Sequence, residues 1–378
     1  MNTSHTIRGP RVPLSSLGCC LAIGLLVASC ASSPYSNPPE IPDLANQPRH
    51  EIADVDLLAM TPEMKEFVAG HSGRGNRGQN KTWALAHAAM NPYLFNFDYD
   101  PQVTLPADQA FEQRVGNCLS FSSLFIAMAR SAGMRAYFQE VEIPPVWSNV
   151  DDNLLVSKHV NAVVYSEGLT FTVEVSRRKA REIEQTRRLS DGEAKAQYYN
   201  NLGADALISQ DIALAYAYFR KALEADRGLP YVWSNIGVIL RRNDQTEDAI
   251  LAYKTALQLE PNQSVALNNL HVIYTEDGNV KAAAEFGGRV ERNRRKNPYY
   301  IQHLAELAIE EQRYSDAVGM ARKAIRMDAR EYRFYYTLAQ AQYLDGKINV
   351  AQASLDQALQ LAPDSEARSK LVLPPAEL

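Results

Sequence analysis

A cysteine at the predicted start of a helix is the residue best placed for covalent chemistry. Cys118 follows Gly116 and Asn117, and residues 118–134 repeat apolar side chains at helical spacing. Asn117 is a good N-cap, so Cys118 falls in the first turn, where free backbone N–H groups and the helix dipole favour an anion. The thiolate is the nucleophilic form of cysteine. The spacing therefore predicts a nucleophile at Cys118, and a buried cysteine that only fills space is the alternative.

Two further polar residues with chemical potential lie on a predicted β-hairpin at residues 158–175. Both strands alternate apolar and polar side chains around a short turn, and His159 and Glu174 belong to the polar side. With Tyr165 opposite Gly168, His159 comes opposite Glu174. A three-residue loop without a bulge would put them on opposite faces instead. The polar pattern favours the first arrangement.

The order of these residues resembles the transglutaminase-like cysteine hydrolases over residues 107–175. That family has a cysteine on a helix, a histidine on a strand and an acid on the next strand, usually aspartate. The resemblance implies an α+β, papain-like fold in which Cys118 is the nucleophile, His159 the general base and Glu174 the group that orients the imidazole. Glu174 is a departure from the family's aspartate. The implied reaction is acyl transfer at an amide of a protein or peptide, by hydrolysis or transamidation.

This chemistry needs no cofactor, and the sequence gives no sign of a metal. Residues 51–175 contain neither ligands at zinc spacing nor a calcium loop. The net charge of −5 gives no support to nucleic-acid binding. Glu174 also keeps open a second function, in which a degenerate first domain belongs to a non-catalytic adaptor of an envelope complex.

The second half of the sequence repeats with a constant period. Alanines recur at one spacing five times, at Ala215, Ala249, Ala283, Ala317 and Ala351. This spacing is the period of the tetratricopeptide repeat, about 34 residues, and it predicts an all-α solenoid of five helix pairs. The third repeat departs most, with His271 at the usual glycine and Gly287-Gly288 inside its second helix. We expect the pair of glycines to leave a soft joint before the fourth repeat.

The resemblance to tetratricopeptide repeats implies a groove that binds a protein or peptide. The first helix of each repeat would line this groove, and the family's pattern assigns seven inward-facing residues to it. They are Asn200, Tyr231, Arg241, Asn268, Tyr299, Tyr336 and Tyr343.

The first thirty residues have the pattern of an export signal. Two arginines precede an uncharged apolar segment at residues 14–28, which is too short for an ordinary transmembrane helix. The small residues before Cys30 resemble the lipobox of bacterial lipoproteins, which implies cleavage after residue 29 and a lipid on Cys30. A plain signal peptide cut near Ser29 is the alternative. By the same resemblance, Ala31 implies the outer membrane of the cell envelope, facing the periplasm.

The composition shifts along the chain suggest six segments. Five prolines and few periodic apolar residues indicate a disordered tether, and a later basic segment with interspersed acids indicates a linker helix. The predicted organisation is a signal peptide (1–29), the tether (30–50), the transglutaminase-like domain (51–176), the linker helix (177–195), five repeats (196–364) and a C-terminal tail (365–378).

Overall fold

The computed structural model describes residues 39–72, 78–91, 93–142, 146–147, 154–155, 158–166, 169–175, 186–363 and 365–373. The predicted signal peptide and Cys30 lie outside these residues. Residues from Pro39 onwards form one compact unit. Within the described part of the chain, no helix is both long enough and apolar enough to cross a membrane.

The first part of the described chain combines short helices with a small antiparallel sheet, which confirms the α+β prediction. Strands run in the order β7-β6-β3-β8, and α4 packs against β3 and β6. The elements are α1 (Pro62–His71), α2 (Gly78–Met90), β1 (Asp98–Tyr99), α3 (Ala107–Gln113), β2 (Val115–Gly116), α4 (Cys118–Ser131), β3 (Arg135–Glu142), β4 (Val146–Trp147), β5 (Leu154–Leu155), β6 (Lys158–Ser166), β7 (Leu169–Val173) and β8 (Thr186–Leu189).

The central helix α4 is held by its buried apolar side chains. Leu124, Phe125 and Met128 are fully buried, and Val160 and Ala162 of β6 belong to the same core. Burying side chains of this size contributes about 1.5–3 kcal/mol each. The helix that carries Cys118 is therefore among the best-anchored elements of the domain.

Strand β8 replaces part of the predicted linker helix at 177–195, and the helix prediction is wrong at residues 186–189. Residues 186–189 pair with β3 as the fourth strand of the sheet. Arg188 lies 4.5 Å above the ring centre of Tyr137, and the buried carboxylate of Glu140 lies 3.4 Å from Arg187. The cations that suggested a solvated helix instead contact groups on β3, so the first domain extends to residue 189.

Helix pairs follow β8 directly, without a flexible connection. Ser190 and Glu193 form a capping box that starts α5 at Asp191, ahead of the predicted start of the repeats at 196. Arg130 of α4 makes two hydrogen bonds to the carboxylate of Asp191, at 2.6 and 2.9 Å. The first repeat is thus fixed to the first domain.

Five helix pairs form the repeat array within the described residues. From α7 onwards, the first helices of successive pairs begin at one constant spacing, and the second helices keep the same spacing throughout. The pairs are α5 (Asp191–Ile208) with α6 (Ile212–Ala225), α7 (Pro230–Arg242) with α8 (Thr246–Leu259), α9 (Ser264–Glu276) with α10 (Val280–Arg294), α11 (Pro298–Glu310) with α12 (Tyr314–Met327), and α13 (Tyr332–Leu344) with α14 (Ile348–Leu361), followed by α15 (Ser365–Ser369).

The third repeat has its large residue on the first helix and its small residue on the second, the reverse of the arrangement in the second repeat. In the second repeat, a Cβ on Gly237 would lie 2.6 Å from the ring of Tyr253, so only glycine fits beside that aromatic side chain. The equivalent positions of the third repeat hold His271 and Gly287, and a Cβ on Gly287 would lie 2.9 Å from Cε1 of His271. Gly287 therefore leaves no unfilled space within the repeat, because the imidazole of His271 occupies it.

The apolar core is interrupted between the third and fourth repeats. One buried cluster runs from Leu57 to Val290, and separate clusters begin at Tyr299. At the other three junctions the second helix packs against the next repeat's first helix, whereas among the described residues α10 and α11 make at most marginal contact. A hydrogen bond of 3.3 Å from Tyr300 to Glu291 crosses this junction. The soft joint expected at this junction stays a prediction.

The segment from residue 39 lies against the first two repeats. Ala45 donates its N–H to the side chain of Gln245 at 2.8 Å and accepts a hydrogen bond from Asn243 at 2.9 Å. Ordered hydrogen bonds of this kind satisfy backbone groups that a disordered chain would expose to water. The prediction of a disordered tether over residues 30–50 is therefore wrong from residue 39 onwards.

Candidate active site

Cys118 is the first residue of α4, as the sequence predicted. Residue 116, two positions earlier, must be glycine because a Cβ there would lie 2.5 Å from the Cβ of Ser120. The side chain of Asn117 accepts a hydrogen bond from the N–H of Ser120 at 3.0 Å and so caps the helix. The thiol of Cys118 therefore lies at the N-terminus of α4, close to the unpaired backbone N–H groups of its first turn.

A buried network of hydrogen bonds holds the start of α4 against the preceding loop. Asn117 donates from Nδ2 to Thr104 at 2.7 Å and from its backbone to the carbonyl of Val103 at 2.8 Å. The hydroxyl of Ser120 accepts the N–H of Leu105 at 2.8 Å. These bonds position Cys118 and were missed at the sequence level, because the contributing residues are not neighbours along the chain.

His159 and Glu174 are brought together as predicted. Nε2 of His159 and Oε2 of Glu174 share a short hydrogen bond, and the imidazole is almost fully buried, with 9% of its side chain exposed. The imidazole also forms a hydrogen bond with Cys118. Since Nε2 faces the carboxylate, Nδ1 is the nitrogen available to the thiol. The three residues therefore form a connected chain of cysteine, histidine and carboxylate.

The predicted register of the hairpin is wrong by two residues, although the predicted faces are right. Tyr165 pairs with Thr170 rather than with Gly168. A shift of two residues keeps every side chain on its face. Glu174, just after β7, consequently lies diagonally across from His159. Diagonal neighbours are farther apart than direct pairs, so the extra methylene of glutamate helps to span this gap.

The site favours a protonated His159. Burial lowers the pKa of His159, but its hydrogen bonds to Cys118 and Glu174 and the negative charges of both groups raise the pKa to about 9. An ordinary histidine has a pKa near 6.5. At neutral pH the imidazole therefore carries a proton, and the arrangement can stabilise a thiolate–imidazolium pair.

Tyr99 is a further residue beside the site that sequence reasoning missed. Parallel pairing of β1 with β2 sets Tyr99 opposite Gly116, two residues before the thiol. Burial and the charges of Cys118 and Glu174 raise the pKa of Tyr99, so its hydroxyl stays neutral. A two-residue strand has no periodicity that would reveal this placement from sequence.

No metal site is evident in the described part of the chain. Within it, no group of three His, Cys, Asp or Glu side chains is arranged to hold a metal ion. What the candidate site can do chemically follows from its thiol, imidazole, carboxylate and backbone N–H groups.

Three of the seven predicted groove residues are tyrosines that lie near other parts of the chain. Tyr299 is 6% exposed and donates its hydroxyl to Glu331 at 2.9 Å, and the hydroxyl of Tyr231 is buried near Glu140 of the first domain. Tyr336 donates to a backbone carbonyl of the C-terminal segment at 2.8 Å. Tyr299 is buried, whereas Tyr231 and Tyr336 are partly exposed. The role of these three residues in binding a partner stays a prediction.

The other four predicted groove residues remain partly accessible. Asn200 accepts a hydrogen bond from Asn235 at 2.8 Å, and Arg241 binds an acidic side chain of α9 at 2.9 Å. Asn268 accepts a bond of 3.3 Å from an arginine of α10, and Tyr343 is partly exposed. Their role in binding a partner stays a prediction.

Comparison with protein families matches three parts of the chain. Residues 74–171 match the transglutaminase-like superfamily, a span that includes Cys118 and His159 and ends before Glu174. Residues 230–263 and 332–365 match tetratricopeptide repeats and correspond to the second and fifth helix pairs.

Individual relatives are distant and partial. The human protein O-mannosyl-transferase TMTC3 is 27% identical over 152 residues, which is 39% of this chain and 16% of that protein's length. A solved structure of pilF from Pseudomonas aeruginosa is 17% identical and covers 48% of this chain and 90% of its own, with a TM-score of 0.28. YrrB, described as a TPR protein with an unusual peptide-binding site, is 16% identical and covers 46% of this chain and 90% of its own, with a TM-score of 0.26.

The family matches agree with the observed elements. The cysteine helix α4 and strands β3 and β6 lie within the first matched span, and helix pairs of constant period lie within the other two. The chain therefore consists of a transglutaminase-like domain followed by tetratricopeptide repeats.

Proposed function

We propose that this protein is a cysteine acyltransferase or hydrolase that acts on amide bonds of a protein or peptide. The observation that carries this proposal is the hydrogen-bonded series of Cys118, His159 and Glu174, in which the pKa of His159 is raised to about 9. A protonated imidazole beside a cysteine at a helix N-terminus is the arrangement that activates a thiol.

The proposed reaction begins with attack of the Cys118 thiolate on the carbonyl carbon of the amide. The carbonyl π electrons move to oxygen, and the backbone N–H of Cys118 stabilises the oxyanion. His159 then donates its proton to the leaving amine as the C–N bond breaks, which leaves a thioester on Cys118. Water or a second amine attacks the thioester after giving a proton to His159, and the thiolate leaves. Glu174 keeps the imidazole oriented throughout.

The repeats are proposed to bind the substrate or a partner polypeptide. Tetratricopeptide repeats suit extended or helical polypeptides, and six of the seven predicted groove residues are partly exposed in this array. The fixed contact between α4 and the start of α5 would hold such a polypeptide at a constant distance from the thiol.

Trapping with a thiol-reactive peptide probe in envelope extracts tests the proposed reaction. We expect a peptide vinyl sulfone to label the wild-type chain and not the Cys118→Ala variant. Glu174→Gln should retain part of the labelling, because the amide still accepts a hydrogen bond from Nε2. Undiminished turnover of a trapped substrate by Cys118→Ala would remove the nucleophile assignment.

We further propose that the mature protein is a lipid-anchored protein of the cell envelope. The motivation is the basic flank, the apolar segment and the small residues before Cys30. Diacylation supplies enough apolar surface for stable anchoring, whereas one short chain gives only marginal binding.

Replacing Cys30 with serine should release the protein from membranes or block its processing. The hydroxyl of serine does not take the thioether-linked lipid, so the membrane-bound fraction should fall to background after cell fractionation. The matched control is Cys20→Ser, which removes a thiol from the apolar segment and should leave anchoring unchanged. Mass spectrometry that finds an unmodified N-terminus at another residue would refute the anchor.

A further inference from the structure

Basic residues occur at equivalent positions near the ends of the second helices of the third and fourth repeats. The constant period of the array gives three cations of the third repeat and three cations of the fourth the same positions within their repeats. We call these residues the basic edge, and its pairs are Arg289 with Lys323, Arg292 with Arg326, and Lys296 with Arg330. The second and fifth repeats have no cation at these positions, which hold Thr255, Gln258, Asn262, Gln357, Gln360 and Asp364.

The cations of the basic edge are exposed and mostly unpaired. Arg292, Lys296, Lys323, Arg326 and Arg330 are all exposed, and none of the five forms an ion pair with any residue that the structure describes. An open cavity of about 330 Å³ lies at the third-repeat part of the basic edge. It is lined by Arg289, Arg292, Arg295, Lys296, Asn262 and Asn293.

Stabilisation of the helix ends does not account for this cluster. Cations favour the last turn of a helix because they interact with its dipole. However, α8 and α14 have no basic residue in their last turns and are regular helices of 14 residues. The repeat fold therefore does not require cations here. The whole chain is acidic, with a net charge of −5, so the basic edge is a local exception.

We propose that the basic edge binds the phosphate-bearing surface of an anionic phospholipid bilayer. Long, flexible cations around an open cavity can approach phosphate groups of headgroups that are themselves mobile. A peptide would need apolar pockets to fix its side chains, and the exposed large apolar residues of α10 and α12 are only Met327 and the distant Val280. This inference does not depend on the proposed chemistry or on a lipid at Cys30.

Co-sedimentation with vesicles tests the proposal directly. The full chain with Cys30→Ser, which cannot be acylated, is mixed with vesicles of phosphatidylcholine or of an equimolar mixture of phosphatidylcholine and phosphatidylglycerol. The test variant adds Arg292→Gln, Arg326→Gln and Arg330→Gln. The matched control instead adds Arg242→Gln, Lys254→Gln and Lys281→Gln, which are also exposed and remove the same charge.

We expect the parent and the matched control to bind the mixed vesicles and the test variant to bind about a hundredfold more weakly, since each cation near an anionic surface contributes about a factor of five. Binding should also weaken as salt is raised. Equal binding of test and control variants, or equal binding of both kinds of vesicle, would overturn the proposal. Polyglutamate that binds the parent, with no vesicle binding, would assign the surface to an acidic protein instead.

Discussion

Replacing His159 with alanine should slow alkylation of Cys118 by iodoacetamide about a hundredfold near pH 6. In the wild-type site the protonated imidazole, with its pKa raised to about 9, stabilises the thiolate. An ordinary cysteine has a pKa of about 8.5, so only roughly one thiol in three hundred is ionised at about pH 6. Without the imidazole, the thiolate of Cys118 loses this stabilising charge. Cys118 is the single cysteine of the described residues, which makes labelling simple to assign by mass spectrometry.

The difference in alkylation rate between wild type and His159→Ala should depend on pH. Because the folded pKa of His159 lies above its unfolded value of about 6.5, the charged imidazole stabilises the folded site below that value. This stabilisation is lost as the pH rises through about 9. The alkylation rates of wild type and His159→Ala should therefore differ most at low pH and converge above about 9. His87→Ala, which removes an exposed histidine, is the control and should match wild type. Superimposable profiles for wild type and His159→Ala would show that the imidazole does not activate the thiol.

Replacing Gly287 with tyrosine should lower the free energy of unfolding by about 2 kcal/mol, because the new ring has no space beside His271. A Cβ at Gly287 would lie 2.9 Å from the imidazole, which already bonds the carbonyl of Ala283 at 3.0 Å. The ring atoms of the new tyrosine, which extend beyond its Cβ, would collide with His271 more severely. The expected measurement is a shift of the denaturant midpoint to lower concentration.

Adding His271→Gly should restore most of the lost stability. The double variant recreates the glycine and tyrosine found at the equivalent positions of the second repeat, Gly237 and Tyr253. Residues that share one packing space commonly couple by about 0.5–3 kcal/mol, so the cycle should be strongly non-additive. Gly288→Ala is the control, since its Cβ would meet only Arg292 at 3.4 Å. An additive cycle would mean that the two positions do not share a space.

The repeat array was predictable because its information is local and periodic. One constant spacing located the second helix of every pair, and the observed starts of these helices keep that spacing from Ile212 to Ile348. The exchange of His271 and Gly287 was visible in the same alignment, but its meaning was not. In the sequence, His271 and Gly287 are two separate departures from the repeat pattern. The structure shows that they face each other and share one packing space.

The cysteine helix and the faces of the hairpin were also predictable, since capping and alternation depend on neighbouring residues. Strand β8 was not, because its stabilising partners, Tyr137 and Glu140, lie far away along the chain. Without knowledge of those partners, the pattern of arginines in this segment is typical of a helix with a solvated face. The hairpin register failed for a related reason: alternation specifies a face, and only turn geometry specifies which residues pair.

The interruption of the core after Val290 divides the chain differently from its sequence motifs. The first three repeats share one buried cluster with the transglutaminase-like domain, so they belong to the same cooperative folding unit as Cys118. The fourth and fifth repeats have cores of their own. Sequence drift in those last two repeats would therefore leave the shared core intact, apart from the contact that α11 makes with β4. The cores of those two repeats could therefore change in evolution more freely than those of the first three, which fold together with the transglutaminase-like domain.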